Sequence, residues 1–211
     1  MTTPEATVFV VDDDEEALAS VHALVRSMGV QAMPFTTAEA FLGHYRPDTP
    51  GCLVTDVRMV GMSGIELQQA MQERCIELPV IVLTAFARTS LTVKAMQNGA
   101  VTILDKPYDD DDLWDAIRVA LQRDEQSRSK RVQQHELRER IGRLTPSERQ
   151  VMDLVVAGLQ NKSIAKRLDV SVRTVENRRR EVFTKMQSVS VAELVKQVIA
   201  AGDGETPSEP S

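Results

Sequence analysis

Short apolar runs alternate with longer segments of helical periodicity through about the first 120 residues. Several of the runs carry almost no polar side chains, as expected for strands that are covered on both faces. The predicted strands are Thr7–Val11, Gln31–Phe35, Cys52–Thr55, Val80–Leu83 and Val101–Leu104. The predicted helices are Glu15–Met28, Ala38–His44, Gly64–Cys75, Ser90–Asn98 and a fifth that begins near Asp109. This alternation predicts an α/β domain with a mostly parallel sheet, which we place at residues 5–122.

A segment without glycine or proline follows, from Leu113 to Arg140. Residues that favour helices fill it, and charged and polar side chains dominate after Gln122. We therefore expect the fifth helix to continue as a long helical linker over residues 123–141 and to end near Gly142.

The remaining sequence predicts a second, all-helical domain over residues 142–200. Thr145 and Glu148 have the spacing of a capping box, with Pro146 at the first helical position. The helices predicted after that one are Lys162–Leu168, a longer helix from about Ser171 to Met186, and a last helix to Ile199 that opens on a second capping box, Ser190 to Glu193. Glycine, proline, serine and acidic residues dominate residues 201–211, which predicts a disordered tail.

The net charge of −6 conceals an asymmetry between the two parts of the chain. Up to Gln122 there are 8 lysines and arginines against 18 aspartates and glutamates, a net charge of −10. From Gly142 to Ile199 the same counts are 11 and 6, a net charge of +5. An acidic part and a basic part indicate two domains with different partners.

The sequence also predicts where the protein resides. No uninterrupted apolar stretch approaches the ~20 residues that a membrane-spanning helix needs, and the first residues do not have the pattern of a secretory signal. Cys52 and Cys75 both lie in apolar-rich surroundings, so we expect two buried thiols in a reducing compartment. We therefore expect a cytoplasmic protein without a membrane partner.

Five polar residues stand at the ends of separate apolar runs: Asp12, Asp13, Asp56, Thr84 and Lys106. The carboxyl ends of parallel strands meet at one edge of a sheet, where open α/β folds place their ligands. Three carboxylates, a hydroxyl and an ammonium there suit a hard cation and a phosphoryl group. The acids that follow directly are expected only to cap and open the first helix: Asp14, Glu15 and Glu16.

In their order and strand context, these residues resemble the receiver domain of two-component response regulators, over residues 7 to about 120. The resemblance implies a CheY-like (flavodoxin-like) five-stranded parallel sheet, with Asp56 as the phospho-acceptor. It further implies that Thr84 and Lys106 stabilise the phosphoryl group. The implied Mg²⁺ ligands are the side chains of Asp12, Asp13 and Asp56 and the backbone carbonyl of Arg58.

Three positions depart from the receiver pattern. Val60 stands where the family often has proline, four residues after the acceptor. Ile103 replaces the usual tyrosine or phenylalanine switch, and Phe86 stands where small or polar residues are common. An aromatic swing at residue 103 is therefore not expected to report phosphorylation.

The basic domain contains a helix with two distinct faces. Val175, Val182 and Met186 fall on one stripe of the 3.6-residue period and are expected to face the core. The opposite face is polar, as in a recognition helix that enters the major groove of DNA. Its residues are Arg173, Asn177, Arg180 and Thr184.

The segment from Leu144 to Val195 resembles the LuxR-type helix-turn-helix domain. With the receiver, it makes the chain similar to the NarL/FixJ class of response regulators, in the FixJ-like branch. By family position, Glu176, Asn177 and Arg180 would lie nearest base edges. The residues that would contact phosphates are Lys162, Thr174, Arg178 and Lys185. Arg179 lies near the core stripe and is expected to be structural.

These features predict a phosphorylation-controlled transcription regulator of the bacterial cytoplasm. A histidine kinase would donate the phosphoryl group to Asp56 with Mg²⁺, the protein would form a homodimer and bind DNA, and RNA polymerase would be a further partner. The only catalysis expected is the receiver's own phosphorylation and dephosphorylation. One alternative is a DNA-binding regulator whose receiver is a phosphorylation-independent dimerisation module. The other is a Mg²⁺-dependent aspartyl phosphatase, although such enzymes carry the nucleophile on the first strand.

Overall fold

The computed structural model describes residues 6–47, 49–85 and 89–202. The chain divides into two compact units, Met1–Ser127 and Arg128–Ser211. We call them the first unit and the second unit and describe each by itself.

The first unit is built on five parallel strands in the order β2-β1-β3-β4-β5. The strands are β1 Thr7–Val11, β2 Gln31–Phe35, β3 Gly51–Asp56, β4 Val80–Thr84 and β5 Thr102–Asp105. The helices are α1 Glu15–Ser27, α2 Ala38–His44, α3 Gly64–Glu73, α4 Thr89–Gln97 and α5 Asp110–Gly142. The predicted α/β architecture is confirmed, and so is the long fifth helix that ends at Gly142.

Successive residues of each strand contribute to two different apolar clusters, because side chains alternate across a sheet. Phe9 belongs to a cluster that includes Phe41 and Leu67, whereas Val10 belongs to a second cluster that includes Ile117. The sheet is therefore covered on both faces, and this burial explains the nearly continuous apolar runs of the strands.

A charged residue of α5 is buried against the start of β3. Asp124 is 4% exposed and accepts a hydrogen bond from the backbone N–H of Gly51 at 3.0 Å. A Cβ atom at residue 51 would lie 1.8 Å from the carbonyl oxygen of Thr7, so only glycine fits this close approach. Buried packing of the first unit thus continues two residues past the predicted boundary at residue 122.

The two cysteines differ from each other. Cys52 is fully buried in β3, and burial, reinforced by the charge of Asp124, raises the pKa of its thiol far above the ordinary value. The prediction of a second buried thiol is wrong, because Cys75 is exposed. It directly follows the C-terminal cap of α3 and lies, with a φ of 55°, in the turn that ends the helix.

The second unit is helical around a single apolar cluster that contains Met152, Ile164 and Val182. Its further helices are α6 Pro146–Val156, α7 Asn161–Leu168, α8 Val172–Met186 and α9 Val191–Ala200. The last turns of α5 also belong to this cluster, through the buried side chain of Ile141. The all-helical prediction is confirmed, with helix ends within about two residues.

The two predicted capping boxes form differently. At the start of α6, Thr145 and Glu148 each accept from the other's backbone N–H, as the pattern predicts. At α9 the Ser190 side chain accepts from the N–H of Glu193, but the Glu193 carboxylate accepts from Val189 instead of Ser190. The second box is therefore displaced by one residue.

Within the described parts of the chain, the structure contains no helix with the length and apolar character that crossing a membrane requires.

We expect the Asp124→Ala variant to unfold more easily than the wild type, by about 1–3 kcal/mol, because it leaves the buried N–H of Gly51 without its acceptor. Urea unfolding followed by the fluorescence of Trp114 measures this change, since this only tryptophan packs against the second cluster of the first unit. Glu125→Ala is the matched control, because Glu125 is the neighbouring acid on α5 and is exposed. Equal unfolding curves for the two variants would contradict the assignment.

Candidate phosphoryl-acceptor site and nucleic-acid interface

The strand order brings the predicted polar residues to one edge of the sheet. Asp56 is the last residue of β3 and Thr84 the last of β4, while Asp12 follows β1 directly and Lys106 follows β5. The backbone N–H of Lys106 donates to the carbonyl oxygen of Thr84 at 2.7 Å, which fixes the start of the loop after β5. The Lys106–Pro107 peptide bond in this loop is cis.

The ammonium of Lys106 lies between two buried carboxylates. Its Nζ is 2.9 Å from Oδ2 of Asp12 and 2.7 Å from Oδ1 of Asp56. Asp12 is 3% exposed and Asp56 is 8% exposed, so the cation compensates charges that water reaches poorly. Burial alone would lower the pKa of Lys106, but its bonds to Asp12 and Asp56 outweigh burial and raise the pKa above its ordinary value.

Backbone contacts from the loop after β3 hold Asp56 in place. Its Oδ2 accepts the N–H of Arg58 at 2.6 Å. A Cβ atom on Gly64 would lie 2.2 Å from the carbonyl oxygen of Asp56, so α3 can approach Asp56 this closely only with glycine at this position. From the sequence, Gly64 is predicted only as the first residue of a helix. The presence of glycine after Met62 and Ser63, at the start of that helix, was the available signal for this close contact.

The neighbouring acids of the first loop have separate partners. Asp14 caps α1 by accepting from the N–H groups of Glu16 and Ala17, which confirms its predicted role as a capping residue. Asp12 accepts the N–H of Asp14 through its second oxygen at 3.0 Å. Asp13 is exposed, and its Oδ2 accepts the N–H of Val60 at 2.8 Å.

Carboxylate and carbonyl oxygens are the ligands that Mg²⁺ prefers, so the donor set at this edge fits the implied ion. As arranged, however, the described residues contain no group of three acidic, histidine or cysteine side chains that would hold a metal. The assignments of Asp12, Asp13, Asp56 and the carbonyl of Arg58 as ligands stay predictions.

The remaining predicted residues of this region lie as follows. Thr84 is buried at 5% exposure, at the same edge as Asp56. Ile103 is half-buried and packs against the first apolar cluster, as an ordinary core side chain does. Phe86 lies outside the described residues.

In the second unit, α7 and α8 are joined by a tight turn in which Asp169 has a φ of 51°. Val175, Val182 and Met186 are buried, as predicted for the inner stripe of α8. The polar residues of the opposite face are exposed: Arg173, Glu176, Asn177, Arg180 and Thr184. An exposed polar face on the second helix of such a pair suits the major groove.

The predicted phosphate-contacting residues differ in their surroundings. Lys162 is exposed near the start of α7, and Arg178 is half-buried. The hydroxyl of Thr174 lies 2.8 Å from that of Ser171, the residue that caps α8. Lys185 is paired with Glu148 at 2.6 Å, and this bond is the main reason why the pKa of Glu148 is lowered.

Arg179 is a structural residue, as its position near the core stripe predicted. Its guanidinium donates to Oδ1 of Asn161 at 2.9 Å and lies 5.5 Å from the ring centroid of Phe183. The bond to Asn161 ties the start of α7 to the middle of α8, and the ring contact lies within α8.

Comparison with known families agrees with this architecture. Residues 8–118 match the response regulator receiver domain, and residues 143–198 match the luxR family of bacterial regulatory proteins.

Similar proteins share both domains over nearly the whole length. The transcriptional regulatory protein FixJ of Bradyrhizobium diazoefficiens is 38% identical over 95% of this chain and 98% of its own. FixJ of Azorhizobium caulinodans is 41% identical over 92% of each chain. The solved structure of the response regulator StyR has a TM-score of 0.82 and 40% identity, and covers 92% of this chain and 98% of its own. Full-length FixJ from B. japonicum has a TM-score of 0.58 and 38% identity, and covers 96% and 100%.

In this chain a receiver fold, with an acid pair, a further buried aspartate and a lysine at one sheet edge, is followed by a LuxR-type domain. The chain belongs to the response regulators of the NarL/FixJ class.

Proposed function

We propose that this protein regulates transcription under the control of phosphorylation at Asp56. The observation that carries the proposal is the position of Lys106, whose ammonium contacts both Asp56 and Asp12 at the carboxyl edge of the sheet. A carboxylate beside a fixed cation can approach an anionic phosphoryl donor, because the cation offsets the added negative charge.

The chemical step is a phosphoryl transfer to a carboxylate oxygen. An Oδ atom of Asp56 attacks the phosphorus of a phosphohistidine on the partner kinase, and the phosphorus–nitrogen bond breaks. The imidazole keeps the electron pair of that bond and takes a proton from solvent. Lys106 then shifts from the two carboxylates toward a phosphoryl oxygen, and the hydroxyl of Thr84 donates a hydrogen bond to the same group.

Mg²⁺ would be held by the carboxylates of Asp12, Asp13 and Asp56 and by the carbonyl of Arg58. When bound, the ion neutralises charge that builds up on the phosphoryl oxygens. The chain's own residues orient the acceptor: the N–H of Arg58 fixes one oxygen of Asp56, and Lys106 fixes the other.

The regulation of transcription depends on DNA binding by the second unit. The phosphorylated protein forms a homodimer through the region of α4 and β5, and the dimer presents two copies of α8 to two half-sites about one helical turn apart on DNA. RNA polymerase at the promoter is the remaining partner. The assignment of α8 as the helix that enters DNA rests on family membership and on its exposed polar face.

We expect the wild type to gain the mass of one phosphoryl group when it is incubated with acetyl phosphate and Mg²⁺. The Asp56→Asn variant should gain none, because the amide cannot act as the nucleophile. Intact-mass spectrometry measures the gain, and Asp115→Asn is the control, since Asp115 is an exposed aspartate on α5.

Equal mass gain in Asp56→Asn would refute the assignment of the acceptor. No gain in the wild type, with DNA binding intact, would instead indicate a dimerisation module that does not respond to phosphate. Sustained release of phosphate from a simple phosphate ester would indicate an aspartyl phosphatase.

We expect the Asn177→Ala variant to lose specific affinity for DNA by about 1–3 kcal/mol, because the exposed Asn177 would read a base edge. The DNA site is first selected from a random pool with the wild-type protein in the presence of beryllofluoride. Fluorescence anisotropy then compares this site with a scrambled one. The specific affinity alone should fall, and an equal loss on both sequences would show that Asn177 does not read bases.

We expect the Lys162→Ala variant to bind both DNA sequences more weakly and to reduce the salt slope of binding by about 1, as loss of one phosphate contact predicts. Titrations at several salt concentrations measure the slope. Lys196→Ala is the control, because Lys196 is an exposed lysine on α9, outside the α7–α8 pair. An unchanged slope in Lys162→Ala would exclude a phosphate contact.

A further inference from the structure

The loop between β3 and α3 makes a backbone contact with the acid pair Asp12 and Asp13 that the sequence pattern does not predict. The N–H of Val60 donates to Oδ2 of Asp13 at 2.8 Å, between residues 47 positions apart. The side chain of Val60 itself is 81% exposed, so its packing contributes little. The backbone N–H is therefore the main contribution of this residue to the site.

Residue 60 is also where the sequence departs from its family, which often has proline four residues after the acceptor. Proline has no backbone N–H and could not make this hydrogen bond. The valine thus gives this chain a donor that a proline-bearing receiver lacks.

The bond restrains the acid that the proposed function needs as a metal ligand. Charge-assisted hydrogen bonds to a carboxylate are directional, so the bond fixes the orientation of the Asp13 carboxylate. Among the described residues, no three acidic, histidine or cysteine side chains come together as a metal-binding group. Asp12 and Asp56 are meanwhile held by Lys106.

We propose that the Val60 N–H restrains the Asp13 carboxylate, competes with Mg²⁺ for its charge and thereby sets the Mg²⁺ affinity of the receiver. The inference rests on the proposed function, in which Asp13 is a ligand of the ion. The N–H and the ion compete for the charge of one carboxylate and each weakens the other's interaction, so the bond weakens Mg²⁺ binding and raises the Mg²⁺ concentration at which Asp56 becomes competent. Val60 is a positioning residue and contacts neither the ion nor the phosphoryl group.

The test compares Val60→Pro, which removes the donor, with Val60→Ala, which keeps it and shortens only the exposed side chain. Titration of the full-length proteins with Mg²⁺, followed by the amide signals of the site in NMR spectra, gives each dissociation constant. We expect Val60→Pro to bind Mg²⁺ about three- to tenfold more tightly than the wild type, as loss of one competing hydrogen bond predicts. Val60→Ala should match the wild type, and equal affinities in all three proteins would overturn the proposal.

A second measurement uses the wild type alone, so it does not depend on the folding of the proline variant. Hydrogen exchange of the Val60 amide should be slow without metal and should accelerate when Mg²⁺ saturates the site. An amide that stays equally protected with the ion bound would overturn the proposal as well.

Failure of the positioning role and failure of the proposed function would give different results. If the wild type binds Mg²⁺ and Asp56 becomes phosphorylated, but the proline variant binds no more tightly, the positioning role fails and the proposed function stands. If no variant binds Mg²⁺ and acetyl phosphate does not modify the wild type, both the proposed function and the positioning role fail.

Discussion

The receiver site depends on one cation placed between two buried acids. Asp12 and Asp56 lie at the ends of the adjacent strands β1 and β3, where their charges would repel one another in a poorly solvated edge. Lys106 reaches them from β5, on the far side of β4, and satisfies one oxygen of each. A phosphoryl group that attracts this ammonium would leave the acids uncompensated. A change at Asp56 would therefore alter the electrostatic environment at the ends of both β1 and β3.

Much of the fold could be predicted because its elements follow local rules. The bounds of β1, β2 and α2 agree with the sequence prediction, since apolar periodicity and capping residues define both ends. The convergence of Asp12, Asp56 and Lys106 was predictable as well, because parallel strands end at a common edge. The orientation of the Asp13 carboxylate was not, because it depends on a backbone donor at Val60, far away in the sequence.

Other features of the structure could not be predicted from the sequence, for related reasons. Asp124 stands in a segment rich in charged residues, so nothing local distinguishes it from exposed neighbours, and only the tertiary position of Gly51 explains its burial. In the second unit, basic residues of similar appearance divide into two groups. Arg179 and Lys185 have partners within the unit, whereas Arg180 is exposed. Composition cannot separate these groups, because pairing is decided by which helix faces another.

The contrast between the two thiols has a practical use. Cys52 is enclosed in β3 with its ionisation suppressed, whereas Cys75 stands exposed at the turn after α3. Thiolate attack requires both access and ionisation, so a maleimide dye added to the folded protein reacts at Cys75 and spares Cys52. The natural chain thus carries a single labelling position near the amino end of β4, at the opposite edge of the sheet from Asp56. A spectroscopic reporter attached there needs no engineered cysteine.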